Sequence, residues 1–393
     1  MKSKRLLPLA EMLGQLVATP SISSVNPSLD QSNRAVVDVL AAWFSELGFT
    51  VELLPVSAYP EKVNLIARWL GRSRSGGLVL SGHTDTVPYD ESDWSDDPFM
   101  LTDREGRWYG LGTSDMKCFF ALVLDALRDI DRASLRRPLT VLATADEESS
   151  MNGARTLIDA GLELGEYALI GEPTSLIPIY KHKGVMMEAI RVQGRAGHAS
   201  DPALGNNAIE GMHRVMSELV AWREELGRRF RDESFAVAVP TMNFGVIRGG
   251  DNPNRICANC ELQLDLRLLP GMEPTAIRGK LHEVVSRGIA ASGLKVELSS
   301  LFQPIPPFQG KRSSKLVALT AQLSGQAPGT VAFATEAPFL SALGMETVVC
   351  GPGDIDQAHQ ADEYVRKDRV LAMRAIVRDL IHHFCLSHPR RAD

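Results

Sequence analysis

Residues 139–149 read LTVLATADEES, a run of strand-forming residues that ends in three consecutive acids, Asp146, Glu147 and Glu148. A short apolar run of this kind is typical of a buried strand. Carboxylates delivered to the end of a buried strand are costly unless a positive group pairs with them. A metal centre would supply that charge, and neighbouring carboxylates would then divide metal binding and proton transfer between them. An acidic cap on a surface helix has the same appearance, so this stretch alone leaves both interpretations open.

The overall composition excludes several classes of protein. The chain has 393 residues, enough for two or three domains, with 44% hydrophobic and 23% charged residues. A net charge of -6 and the lack of a basic stripe predict no general affinity for nucleic acid or an anionic membrane. No run of about 18 apolar residues is present, so we expect no membrane span. Five cysteines, sparse and odd in number, favour a reducing compartment, and we expect the protein in the cytoplasm.

The pairing of an apolar strand with a metal-capable side chain recurs along the chain. The apolar segment LVL leads into SGHTDTVP with His83, YALI leads into GEPT with Glu172, and TVVC leads into GPGDIDQAHQ with His359. Asp115, in GTSDMK, stands at the start of an apolar helix. In an open α/β sheet, ligand sites form outside the carboxyl ends of the strands, so we expect these side chains to converge.

The character of the sequence changes at about residue 183. The predicted order in residues 183–291 is strand, helix, strand, strand, helix, which suits a small α+β domain of the ferredoxin-like kind with an antiparallel sheet. The alternating strand and helix pattern resumes after residue 291. We therefore predict an α/β catalytic domain with a mostly parallel central sheet, formed by residues 1–182 and 292–393, and an inserted domain between them.

Histidine and carboxylate side chains in this number suit a pair of borderline divalent ions. Zinc is the natural candidate, with one carboxylate bridging two ions about 3.5–4 Å apart. Mixed nitrogen and oxygen ligands argue against calcium or magnesium. Any one of these residues alone would more often be structural, so the prediction depends on the joint pattern. The five candidate ligands are His83, Asp115, Glu148, Glu172 and His359.

The motifs at these positions resemble those of a known family. HTDTVP, GTSDMK, DEES, GEPT, GHAS and QAHQ are similar to the motifs of the M20 metallopeptidase family of dinuclear zinc deacylases and exopeptidases. The likeness runs over essentially the whole chain, and it implies a zinc-hydrolase-like catalytic domain with an inserted dimerisation domain. It also implies two divalent ions per subunit, zinc or else cobalt.

The resemblance assigns roles to the five candidate ligands. It implies that Asp115 bridges the two ions, that His83 and Glu172 complete one site, and that Glu148 and His359 complete the other.

Further catalytic roles follow from the same resemblance. Asp85 would accept a hydrogen bond from the imidazole of His83 and fix its tautomer, and Glu147 would be the general base. His198 would be supplied by the partner subunit and would help to stabilise the oxyanion. This arrangement implies a homodimer. Cys118 stands where the family often has glycine, and a thiol close to zinc predicts sensitivity to oxidation.

The substrate is implied less directly. GGDNPNRICANCELQLDLRLLPG, TEAPF and GPGDIDQAHQADEY are similar to family members that hydrolyse N2-acetyl-L-ornithine to L-ornithine and acetate in arginine biosynthesis. Arg267 and Asn254 match family positions that bind or orient substrate, and Gly353 offers a backbone N–H. Glu336, at the end of a predicted strand, is our hypothesis for the partner of the distal ammonium.

Other functions share the same metal motifs. A succinyl-diaminopimelate desuccinylase, a broader N-acyl-amino-acid hydrolase, and an aminopeptidase or carboxypeptidase would differ only in their substrate contacts. A non-catalytic scaffold on the same fold is a further alternative, but such a protein would have no reason to keep both Glu147 and the five ligands.

Overall fold

The computed structural model describes residues 6–386, and the chain divides into two compact units. The first unit comprises Met1–Tyr180, Gly310–Gly329 and Thr335–Asp393, and the second comprises Lys181–Gln309 and Thr330–Ala334.

The strands and helices of both units are numbered in chain order. The strands are β1 (Thr50–Val56), β2 (Tyr59–Trp69), β3 (Leu78–His83), β4 (Thr102–Arg104), β5 (Arg107–Tyr109), β6 (Leu139–Thr144), β7 (Tyr167–Ile170), β8 (Ile179–His182), β9 (Gly184–Gln193), β10 (Thr241–Gly249), β11 (Asn259–Leu268), β12 (Lys295–Ser300), β13 (Phe308–Gln309), β14 (Gly329–Val331), β15 (Glu346–Val349) and β16 (Tyr364–Arg366). The helices are α1 (Leu9–Val17), α2 (Arg34–Glu46), α3 (Lys117–Ala126), α4 (Asn152–Asp159), α5 (Ala208–Arg229), α6 (Pro274–Gly288), α7 (Lys315–Ser324), α8 (Ala337–Ala342) and α9 (Lys367–Cys385).

The central sheet of the first unit has the strand order β1-β2-β6-β3-β7-β15, and β8 begins beside β15. Strands β6, β3, β7 and β15 are parallel, whereas β1, β2 and the start of β8 pair antiparallel. The predicted α/β class with a mostly parallel central sheet is therefore confirmed. Because the four parallel strands share a direction, the loops that follow them leave from one edge of the sheet.

Burial explains why the central strands read as continuous apolar runs. All six residues of β3 and all six of β6 are buried, as expected for parallel strands covered on both faces. Helix α3 packs against α1, α9 and β3, and nine of its ten residues are buried. None of the helices in residues 6–386 combines the length and apolar character needed to cross a bilayer.

The second unit is built on a four-stranded antiparallel sheet with the order β10-β11-β9-β12. Alternate residues of β11 are buried, which is the pattern of a sheet with one covered face. Helix α5 packs on β9, β10 and β11, and α6 packs on α5 and β12. Cys257 and Cys260 are free thiols buried in this core, Cys260 within β11 and Cys257 just before it.

The predicted end of the inserted domain at residue 291 is wrong. Strand β12 pairs with β9, so the second unit continues to Gln309 and also includes residues 330–334. Residues 292–309 therefore do not belong with the catalytic domain. Their alternating pattern suits either sheet, and the partner of a strand is a non-local choice that its own sequence does not specify.

Candidate metal centre and active site

The carboxyl ends of three parallel strands in the first unit's sheet carry part of the candidate site, and Asp115 and His359 come from two further segments. His83 is the last residue of β3, Glu147 and Glu148 follow β6, and Glu172 follows β7. Asp115 lies just before α3. These positions explain the sequence pattern. Each apolar strand ends at the edge of the sheet where the candidate metal ligand that ends or follows it lies.

Asp115 lies between two histidines. Its Oδ1 is 2.9 Å from Nε2 of His83, and its Oδ2 is 3.8 Å from Nε2 of His359. Glu172 Oε2 lies 3.8 Å from His83 Nε2, and Glu148 Oε2 lies 3.0 Å from His359 Nε2. The structure thus brings all five candidate ligands together, with one carboxylate facing both halves of the cluster.

Two groups within the cluster have the spacing of metal ligands. Donor atoms of His83, Asp115 and Glu148 all lie within 4.8 Å of one another, and so do those of His83, Glu147 and Glu172. Oε1 of Glu172 is buried without a hydrogen-bond partner. An unpartnered carboxylate oxygen inside a group of histidines and acids fits a divalent cation, which would satisfy it.

Asp85 is close to His83, but the hydrogen bond differs from the predicted one. Nδ1 of His83 donates to the main-chain carbonyl of Asp85 at 3.0 Å, whereas the carboxylate Oδ1 is 3.7 Å away. The other carboxylate oxygen accepts the backbone N–H of Glu148 at 3.0 Å. Asp85 therefore fixes the His83 tautomer through its backbone, leaving Nε2 for a metal, and its side chain holds the loop of Glu148.

The crowding of carboxylates shifts their protonation. Burial, followed by the negative charge of Glu172, raises the pKa of Glu147 well above its usual range. Burial likewise raises the pKa of Glu172 well above its usual range. Burial alone would lower the pKa of His83, but its hydrogen bond with Asp115 and the surrounding acids raise it well above the ordinary value. A divalent cation bound by this cluster would have to replace those protons, so its affinity would depend on pH.

Asp146 pairs with a lysine, although the sequence predicted a metal as the partner of all three acids. Lys62 Nζ lies 2.7 Å from its Oδ1, and the two side chains are 3% and 2% exposed. Ser23 and Ser149 also donate to this carboxylate. Asp146 thus anchors the turn that presents Glu147, and sequence reasoning missed Lys62 because nothing nearby in the sequence links the two residues.

Three predicted residues lie in the second unit. His198 and Asn254 are neighbours there, because the segment 197–199 pairs with residues 254–256. The exposed His198 accepts the backbone N–H of Ser200 on Nδ1, so a neutral ring carries its proton on Nε2. Arg267, on β11, forms an ion pair with Asp265 at 2.9 Å.

The remaining predicted residues lie in the first unit. Glu336 is fully buried, and its charge contributes to the raised pKa values of Glu147 and Glu172. Burial raises the pKa of Glu336 itself to about 7. Gly353 is buried against the loop of Asp115. Cys118 is 1% exposed, and burial raises its pKa, which keeps the thiol neutral. The predicted sensitivity of this thiol to oxidation is therefore contradicted by its burial.

Two buried charged residues near the site escaped sequence reasoning. Glu363 accepts hydrogen bonds from the loop that carries Asp115. Lys117 lies in that motif's last position, and its ammonium donates to the carbonyls of Leu16 and Thr19. Both residues could have been predicted, because each is a charged residue within or close to a recognised motif.

A group of carboxylates with the buried His83 and the exposed His359, at the carboxyl edge of a parallel sheet, has the composition of a site in a metal-dependent hydrolase. Residues 79–383 match the model of peptidase family M20/M25/M40. The chain is 46% identical to an acetylornithine deacetylase of Erwinia tasmaniensis, with 95% of this chain and 97% of the relative covered. It is 48% identical to an acetylornithine deacetylase of Proteus mirabilis, with coverage of 96% and 97%.

A solved structure is similar in fold. An M20 family metallo-carboxypeptidase of Sulfolobus solfataricus superposes with a TM-score of 0.74 at 18% identity, covering 96% of this chain and 99% of that one. The chain belongs to peptidase family M20/M25/M40.

Proposed function

We propose that this chain hydrolyses N2-acetyl-L-ornithine to L-ornithine and acetate, as a step of arginine biosynthesis in the cytoplasm. The observation that supports the proposal is that all five candidate ligands lie together with Glu147 beside them. Relatives named acetylornithine deacetylase, 46–48% identical over nearly the whole chain, support this substrate. Five buried free thiols are consistent with a reducing compartment.

The proposed cofactor is a pair of zinc ions, for which cobalt is a substitute. His83 and Glu172 would hold one ion, Glu148 and His359 the other, and Asp115 would serve both. When bound, the ions lower the pKa of a water molecule towards neutrality and polarise the acyl carbonyl.

The residues of the chain would then carry the proton transfers. Glu147 would accept the proton of the attacking water, because its carboxylate lies beside His83 and Glu172 in the candidate site. The water oxygen adds to the acetyl carbon, and the amide C–N bond breaks as Glu147 passes the proton to the leaving amine. The Nε2–H of His198 is suited to donate to the tetrahedral oxyanion.

The direct test follows hydrolysis during metal reconstitution. Metal-stripped protein receives increasing zinc while acetate release from N2-acetyl-L-ornithine is measured. We expect no turnover before zinc is added and a maximum near two ions per chain, since the site has ligands for a pair. Turnover by protein proved free of metal would refute the proposed chemistry.

We propose in addition that the protein is a homodimer in which each His198 serves the partner's site. His198→Ala and Glu147→Gln variants, each almost inactive alone, are co-expressed with different tags and purified as the mixed dimer. One of its two sites then has both Glu147 and His198, so about half of the wild-type activity should return. A mixed dimer as inactive as its parents would exclude exchange of His198 between subunits.

Substrate contacts form the last part of the proposal. Arg267 and Asn254 would bind or orient the α-carboxylate, with help from the backbone N–H of Gly353. Glu336, a buried carboxyl with a pKa of about 7, would balance the distal ammonium. Glu336→Gln should therefore lower the preference for N2-acetyl-L-ornithine over N-acetylmethionine. An unchanged ratio of kcat/KM values would remove Glu336 from this role.

A further inference from the structure

One buried carboxylate fastens the loop that carries Asp115. Oε1 of Glu363 accepts the backbone N–H groups of Ser114 at 2.7 Å and Asp115 at 3.0 Å. Oε2 accepts the N–H of Gly112 at 2.8 Å, and the residue is 2% exposed. A carboxylate accepts on both oxygens, so a single side chain satisfies three main-chain donors of this loop.

The backbone of Glu363 is itself fixed. Its carbonyl accepts the N–H of Gly110 at 2.9 Å, and the next residue begins β16, which pairs with β5. Glu363 also follows His359 by only four residues. The segment that delivers His359 therefore also holds the loop of Asp115.

A second tie joins the same two segments. Ser114 Oγ donates to the carbonyl of Asp354 at 3.1 Å and accepts its N–H at 2.9 Å. The chain passes so closely here that a Cβ at Gly353 would lie 2.3 Å from the carbonyl oxygen of Ser114. The loop of Asp115 thus has little freedom to move away from the segment of His359.

We propose that Glu363 is a positioning residue of the metal centre, holding the backbone of Asp115 so that its carboxylate faces His83 and His359 at once. The inference rests on the proposed two-ion function of the site. A ligand that serves two ions must be placed within about 0.5 Å, because a rotation that favours one oxygen misplaces the other. Three hydrogen bonds from one rigidly held side chain provide that placement.

Glu363→Gln tests the role with little change of shape. An amide has an accepting oxygen on one side only, so its NH2 group must face an N–H of the loop on the other. The loop then has to move, although the core keeps its volume. Glu346→Gln is the matched control: Glu346 Oε1 accepts the backbone N–H of Leu316 at 2.8 Å, and it lies at the start of β15, at the opposite end of the sheet.

The experiment measures metal binding by the full-length, metal-stripped proteins. Zinc affinity is obtained by competition with a chelator, and the cobalt-loaded proteins are compared by their visible absorption. We expect Glu363→Gln to bind at least one ion about 10- to 100-fold more weakly, with an altered cobalt spectrum. Glu346→Gln should match the wild type in both, and circular dichroism verifies that each variant is folded.

Wild-type affinity and spectrum in Glu363→Gln would overturn the inference. Should that variant not fold, Glu363→Asp keeps the carboxylate but shortens the side chain by one CH2 group, so that it no longer reaches all three N–H donors; weaker metal binding then supports the inference, and unchanged binding overturns it. If the wild-type protein and the Glu346→Gln control both bind no metal, the proposed function is refuted instead, because the site then holds no ion even with Glu363 present.

Discussion

Replacement of Lys62 by methionine is expected to destabilise the first unit by about 3 kcal/mol. Lys62 Nζ contacts the carboxylates of Asp146 and Asp30, each at 2.7 Å, and its side chain is 3% exposed. Breaking a buried ion pair by removing one partner costs about 3–5 kcal/mol, because the remaining charge stays buried. Asp146 keeps its hydrogen bonds from Ser23 and Ser149, so we expect the lower end of that range.

The assay is urea unfolding followed by tryptophan fluorescence, which reports mainly on the first unit because four of the five tryptophans lie there. Arg34→Met is the matched control. It removes a surface ion pair with Asp38 in which both side chains are 55% exposed, and such pairs contribute less than about 1 kcal/mol. The double variant Lys62→Met with Asp146→Asn should recover part of the loss, since the buried charge of Asp146 is then absent and only Asp30, whose side chain is 20% exposed, remains unpaired.

The pH dependence provides an internal check. Burial alone would raise the pKa of Asp146, but hydrogen bonds from Lys62 and neighbouring serines lower it below the ordinary value of 3.8. A carboxyl with a lowered pKa stabilises the fold above that ordinary value, and the contribution is lost as the pH falls through the lowered pKa. The difference between wild type and Lys62→Met should therefore be full at pH 7 and shrink near and below pH 3.8. A loss no larger than that of Arg34→Met at pH 7 would refute this reasoning.

Three further outcomes follow from the site. Glu147→Gln should lower kcat by about 10²- to 10⁴-fold while leaving the metal content unchanged by mass spectrometry, and a fully active variant would exclude Glu147 as the base. The hydrogen bond with Glu148 raises the pKa of His359 to about 9, so metal must displace a proton at neutral pH. Zinc affinity measured by calorimetry should therefore rise between pH 6 and pH 9, and an affinity independent of pH would contradict this. Gly353→Ala should lower the free energy of unfolding by about 1–3 kcal/mol in urea, because its Cβ would meet the carbonyl of Ser114; wild-type stability would contradict the packing argument.

The sequence predicted those parts of the site that depend on strand ends. His83, Glu148 and Glu172 follow apolar runs, and parallel pairing places the ends of those runs at one edge. Asp115 lies just before α3 and His359 lies ten residues after β15, so the motifs around them indicated their role more closely than the strand ends did. Each of the two carboxylate oxygens of Asp115 faces a different histidine, and this geometry cannot be predicted from the order of residues alone.

Non-local pairing limited the rest of the prediction. The partner of Asp146 is Lys62, which is 84 residues away in the chain, and the partner of β12 is β9 rather than a strand of the central sheet. The acceptor for His83 is the main-chain carbonyl of Asp85, which a reading of side chains does not consider. In each case the sequence indicated that a residue or strand needs a partner, but only the folded structure determines which partner it has.

The most direct test of the proposed function is amine release from three substrates, N2-acetyl-L-ornithine, N-succinyl-diaminopimelate and N-acetylmethionine. Purified protein is stripped of metal and assayed before and after reconstitution with zinc. We expect no turnover before reconstitution and, afterwards, the highest kcat/KM with N2-acetyl-L-ornithine. A higher kcat/KM with either of the other substrates, or turnover that does not depend on metal, would contradict it.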